Sequence, residues 1–152
     1  MISPISHIPM GLMRVRVRLI RHRRRKIVVI RSPQDVFALL KGEAERCDRE
    51  HLWRIDLDSR AQVASYELVS VGTADCALVH PREVWKGALL SNASSVIVVH
   101  NHPSGDPSPS DEDRATTRKL AAAGALMGVP LADHIIVADR GYYSFKDAGG
   151  LR

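Results

Sequence analysis

The run Val96-Ile97-Val98-Val99 followed directly by His100-Asn101-His102 constrains this chain more than any other feature. Four successive β-branched residues leave no polar side to turn towards water, the signature of a central strand covered on both faces. The strand delivers two histidines at its exit. Residues 101–109 then carry three prolines and one glycine, a composition that allows only a loop. Ser110 opens the next helix, with Thr116, Leu120, Ala123 and Met127 at helical spacing and Gly128 and Pro130 to stop it.

The rest of the chain supplies elements to flank that strand. Ser32-Pro33-Gln34-Asp35 starts a helix with Ser at the N-cap, Pro at N1 and an acid at N3. Its apolar face is Val36, Leu39, Leu40 and Ala44, and it should end near Cys47. Trp53, Ile55 and Leu57 alternate with Arg54, Asp56 and Asp58, which reads as a half-exposed strand. A turn at Asp58-Ser59-Arg60 joins it to a second strand over 63–71 as a hairpin. Pro81 opens a helix through Val84, Trp85, Ala88 and Leu89. Residues 135–138 and 142–145 read as closing strands, and Ile27–Ile30 as a short buried one. There is no internal repeat.

Composition excludes several classes. With 152 residues, 45% of them apolar and 26% charged, the chain can form one ordinary core. No apolar run is long enough to span a bilayer, and no secretory h-region or cleavage site is present. Cys47 and Cys76 are sparse and unpatterned, which fits a reducing cytoplasm and offers no thiolate zinc site. The net charge of +5 is uneven. Residues 14–31 hold nine of the 22 basic residues and no acid, leaving 13 basic against 17 acidic from Ser32 onward. Residues 1–31 therefore read as a basic N-terminal arm, with an alternating strand-like stretch at Arg14–Leu19, and 32–152 as the folded domain. Met13 is a candidate start. The arm could contact nucleic acid through phosphates alone, without sequence preference, since it has no interleaved aromatics. A solvated edge strand and an Arg-rich transit segment are the competing readings.

The chemistry concentrates at His100, His102 and Asp113. Histidines at i and i+2 of an extended segment share one side. Asp113 lies in the first turn of the following helix, near the strand end if the loop folds back. Two imidazoles and one carboxylate leave a fourth tetrahedral position for water, the donor set of a catalytic zinc. Ser110 is placed to donate to an oxyanion. The same four residues, Ser110 to Asp113, also make a helix cap, and Ser32…Asp35 repeats that pattern with no chemistry attached. Two histidines and a carboxylate can equally hold non-haem iron.

The block HNHPSGDPSPSDED fits the JAMM zinc-hydrolase signature: HxH, seven residues, Ser, two residues, Asp. Together with Val69-Ser70-Val71-Gly72-Thr73, His80-Pro81-Arg82-Glu83-Val84 and Asp133-His134-Ile135-Ile136-Val137 in this order, the sequence resembles the JAB/MPN domain of RadC-like proteins from Ser32 to Leu151. That resemblance implies an α/β fold of α+β type, a mixed sheet flanked by helices. It also implies a metal-activated water that hydrolyses peptide or isopeptide bonds of a peptide or protein substrate. His100, His102 and Asp113 would hold one Zn2+, and Ser110 would assist the oxyanion. The family's catalytic glutamate lies at the start of a strand upstream of the histidines, where Glu50 fits. Glu67 and Glu83 rank second and third. His134 reads first as a satisfied buried histidine and second as support for a ligand; His7, His22, His51 and His80 read as structural or exposed. Longer relatives carry a helix-hairpin-helix module associated with DNA; in this sequence only the basic arm precedes the domain. A nucleic-acid-associated protein with the domain as scaffold is the alternative function.

Overall fold

The computed structural model describes residues 27–72 and 79–151. The basic stretch Arg14–Lys26, the strand expected at Arg14–Leu19, Cys76, His7 and His22 lie outside them. The elements run α1 (Pro33–Ala44), β1 (His51–Leu57), β2 (Val63–Val71), α2 (Pro81–Leu90), β3 (Ser95–Asn101), α3 (Asp111–Met127), β4 (Leu131–Ala138) and β5 (Gly141–Ser144). The fold is α+β: a mixed five-stranded sheet in the order β2-β1-β3-β4-β5. β3 and β4 are parallel, and the other neighbours antiparallel. α3 is the crossover that parallel pairing requires.

β3 sits at the centre of the sheet, and the period of two divides its side chains between two cores. Ile97 and Val99 join Trp53, Ile55, Ile135 and Val137 beneath Val36, Leu40 and Ala44 of α1. Val96 and Val98 join Leu52 and Leu131 against Val84, Trp85 and Ala88 of α2 and Leu120 of α3. Two tryptophans anchor the layers through their N–H groups. Trp53 donates to Glu43 (3.1 Å), and Trp85 to the Val129 carbonyl (3.2 Å). No helix among the described residues is long and apolar enough to cross a membrane.

Three sequence expectations need correction. The strand at 51–57 is buried on both faces, because α2 covers the side that carries Arg54 and Asp56; these are 3% and 0% exposed. Burial is tolerated because the charges are paired and saturated. Arg54 Nε and Nη2 donate to Asp56 at 2.7 and 3.1 Å, and Nη1 reaches the Val84 carbonyl at 3.0 Å and Glu67 at 2.8 Å. Asp56 accepts two further bonds, from Ser65 and Ser91. The buried face of α3 is Thr117, Leu120 and Gly124: Leu120 is buried as expected, Thr117 and Gly124 take the places of Thr116 and Ala123, and Met127 is exposed. Thr117 is polar yet buried, and Gly124 lets α3 approach α2, since a Cβ there would meet Trp85 and the Val129 carbonyl at 2.5 and 2.7 Å. Finally, Ile27–Ile30 is not a strand: a single bridge, Val29 to Gln62, represents it.

Removing Asp56 strips two hydrogen bonds from the buried Arg54 guanidinium and leaves it only the half-exposed Glu67 as a charged partner. Asp56→Ala is therefore expected to destabilise the domain by about 3–5 kcal/mol in urea unfolding at neutral pH, far more than a surface Asp→Ala change. A loss under about 1 kcal/mol would show that the pair is dispensable.

Candidate metal centre

β3 continues two residues past its apolar run, so His100 and, just beyond the strand, His102 point to the α2/α3 side while Asn101 points to the α1 side. The 102–105 turn folds the chain back: Gly105, in the left-handed region (φ 83°), donates its N–H to the His102 carbonyl (3.0 Å), and His102 N–H bonds Val137 of β4 (2.9 Å). The loop then delivers Ser110 as N-cap of α3 with Asp113 at N3, a complete capping box. Asp113 consequently faces both histidines. Its Oδ1 lies 3.1 Å from His100 Nε2 and its Oδ2 3.4 Å from His102 Nε2. The two Nε2 atoms are 3.0 Å apart. One donor atom from each residue falls within 4.8 Å of the others, the arrangement of a metal-ion cluster.

Hydrogen bonds on the far side of each ring decide which nitrogen faces the cluster. The Thr117 hydroxyl donates to the Asp113 carbonyl (2.6 Å), which can only accept. Thr117 Oγ1 must therefore accept from His134 Nδ1–H (2.6 Å). His134 is wholly buried and stacked on Phe145, and desolvation holds its pKa well below the usual imidazole value. It is neutral, so its Nε2 accepts from His100 Nδ1–H (2.8 Å). His102 Nδ1–H donates to the Asp106 carbonyl (2.8 Å). Both Nε2 atoms thus present lone pairs to one point beside a carboxylate, a combination that calls for a proton or a cation between them. His134 is both of the things the sequence allowed, a satisfied buried histidine and the support of His100. Thr117 was not singled out in the sequence; it offers no signal beyond its position one turn after Asp113.

Without an ion the site shares protons. The Asp113 hydrogen bond raises the His102 pKa against the opposing effect of burial, with the Asp106 carbonyl and the Glu50 charge adding to the rise. Burial pushes the Asp113 carboxyl up, but the bonds to His100 and His102 outweigh it and hold the group well below the usual carboxylate range.

A cleft of about 240 Å³ opens beside the cluster, lined by Glu50, Leu52, Val79, His100, Ser110 and Asp113 among others. Glu50 immediately precedes β1 and lines the cleft together with Leu52 and His100, which are register partners. The Ser110 hydroxyl donates to Asp113 Oδ2 (2.7 Å) and accepts from Asp113 N–H (3.1 Å). The two rival glutamates are engaged elsewhere. Glu67 pairs with Arg54, and Glu83 pairs with Lys86 and Arg82 at the exposed start of α2. His80 caps α2 by accepting from Arg82 N–H, and His51 stacks on Trp53.

Fold and cluster together describe an α+β domain carrying a His-His-Asp cluster that could hold a metal ion. The sequence pattern of the RadC-like JAB domain matches residues 30–151, and the chain belongs to that family. It is 48% identical to a UPF0758 protein of Methanosarcina acetivorans over 121 residues, 80% of this chain and 53% of the relative. It is 52% identical to a UPF0758 protein of Thermotoga maritima over 104 residues, 68% and 47% of the two chains. A UPF0758 protein of Desulforamulus reducens is 44% identical over 80% of this chain and 54% of its own length. The chain spans about half the length of these curated relatives.

Two expectations follow from the hydrogen-bond chain. His134→Phe fills the same space without accepting from His100, and is expected to weaken divalent-metal affinity roughly 10- to 100-fold in chelator competition, with Thr117→Val weakening it less. Equal affinities would remove His134 from the centre. In the metal-free protein, the raised His102 pKa stabilises the fold below the ordinary imidazole value of about 6.5 and ceases to do so as pH rises through the raised value. The lowered Asp113 pKa stabilises above the ordinary carboxylate value of about 3.9 and is lost as pH falls. Metal-free Tm should therefore peak between these limits, whereas metal affinity should rise with pH as the ligand protons leave. Calorimetry with and without metal checks both trends.

Proposed function

We propose that this domain is a zinc-dependent hydrolase of peptide or isopeptide bonds. The observation that carries the reading is the convergence of two imidazole lone pairs and one carboxylate beside a cleft that also receives Glu50. His100, His102 and Asp113 would hold the ion, and this donor set, with a coordination position left for water, suits catalytic zinc. Zinc so held supplies Lewis acidity, lowering the pKa of water towards about 7 and polarising a carbonyl.

The chain's own residues account for the rest of the reaction. Glu50 borders the cleft, where it would take the proton from the attacking water and return it to the departing nitrogen. Neither task suits Glu67 or Glu83, whose carboxylates are committed to Arg54 and to Lys86. Ser110 lies at the same wall, where its hydroxyl is the donor assigned to the oxyanion; in the ion-free protein that proton goes to Asp113. Leu52 and Val79 give the cleft an apolar side for the substrate chain.

Elemental analysis of protein purified without added metal is expected to find about one zinc per chain, lost in His100→Ala and in Asp113→Ala. Zinc-loaded protein would then be assayed on fluorogenic peptides and lysine isopeptide conjugates. Glu50→Gln should lower kcat by roughly 10²- to 10⁴-fold while zinc content is kept. Iron in place of zinc, or full turnover by Glu50→Gln, overturns the corresponding part of the reading.

A further inference from the structure

Asn101 stands between the two histidines, is 2% exposed, and takes no part in the cluster because its side chain leaves β3 on the opposite face. Both ends of its amide are nonetheless engaged. Oδ1 accepts from His51 N–H at 2.7 Å, and Nδ2 donates to the Arg49 carbonyl at 3.1 Å. These are the backbone groups of the residues on either side of Glu50. Antiparallel β1–β3 pairing reaches only Leu52–His100, so the Asn101 side chain takes over where the backbone ladder stops. One more bond holds the residue itself, from Gly72 N–H to the Glu50 carbonyl (2.7 Å). The segment 48–50 has no regular structure of its own.

We infer that Asn101 is a positioning residue that clamps the backbone on both sides of Glu50 and thereby fixes the Glu50 carboxylate over the cleft. The inference rests on the reading of Glu50 as the proton-transfer group. It assigns the middle residue of His100-Asn101-His102 a task separate from the metal: the outer two residues face the ion, and the middle one ties the catalytic carboxylate to the same strand. A buried amide suits this role because it offers a donor and an acceptor a fixed distance apart, matching one C=O and one N–H of an irregular segment. With its backbone fixed on both sides, the place of Glu50 at the cleft does not depend on a pairing cation of the kind that engages Glu67 and Glu83.

The test compares wild type, Asn101→Leu and Asn101→Asp as zinc-loaded full chains. Leu keeps the buried volume and removes both bonds; Asp keeps the acceptor for His51 N–H and removes the donor to Arg49. Amide hydrogen exchange should rise roughly tenfold or more at His51 and Gly72 in Asn101→Leu, with the amides of Ile97–Val99 and the zinc content unchanged. Asn101→Asp should restore protection at His51. On a fluorogenic peptide, Asn101→Leu should lower kcat by roughly 10- to 100-fold with KM little changed, and should cost nothing further in a Glu50→Gln background. Unchanged exchange at His51 and Gly72 overturns the inference. So does loss of zinc together with loosening of the β3 amides, which would make Asn101 a support of the ligands instead. Loosening at His51 and Gly72 alongside full turnover by Glu50→Gln supports the clamp and overturns the role of Glu50.

Discussion

The alternation of side chains along β3 is the constraint from which the rest follows. A strand at the middle of a five-stranded sheet has both faces covered, so every residue along it must satisfy one of two cores. Where the apolar residues end, that alternation continues, and it sorts three polar residues by face: two imidazoles towards α2 and α3, one amide towards α1. The centre inherits its rigidity from the strand, and the polar groups inherit from burial the need for a partner on every atom. No buried side-chain nitrogen or oxygen among the described residues lacks one.

Much of this was legible in the sequence, for identifiable reasons. The β-branched run marked the central strand, the Pro-rich block marked the loop, and Ser110-x-x-Asp113 marked both a helix start and a member of the cluster. What misled was polarity. Arg54 and Asp56 look like the wet face of a half-exposed strand, because no local pattern announces that a helix 30 residues later will cover them and that each will neutralise the other. Thr117 was passed over for Thr116 on the same ground: a threonine scores as neither core nor surface, and its burial depends on a histidine 17 residues further on. Asn101 read as the first residue of a loop. Its use is set by the separation of two backbone groups 50 positions upstream, which sequence spacing does not express.

Several residues carry two tasks, and this ties local structure to the site. Asp113 completes the cap of α3 and contributes to the cluster; Ser110 caps the helix and borders the cleft. Capping of α3 and membership of the cluster and cleft are satisfied in the same geometry. Thr117 likewise returns a hydrogen bond to its own helix at Asp113 and accepts one from His134. The first turn of α3 is thus both the start of a helix and one wall of the cleft.

The parallel pairing of β3 with β4 has a consequence for how such a centre comes into being. The three residues of the cluster lie within one short stretch, from His100 to Asp113, and need only the loop to bring them together. The residue that orients His100 arrives on β4, after the whole of α3 has been laid across the sheet, and parallel neighbours joined by a long crossover pair late in folding. A nascent chain therefore owns the three residues of the cluster before it owns the means to aim them. An ion captured early would be held by a ring free to turn, and the docking of β4 would convert that loose capture into a fixed geometry, so the last long-range step of folding would also be the maturation of the site.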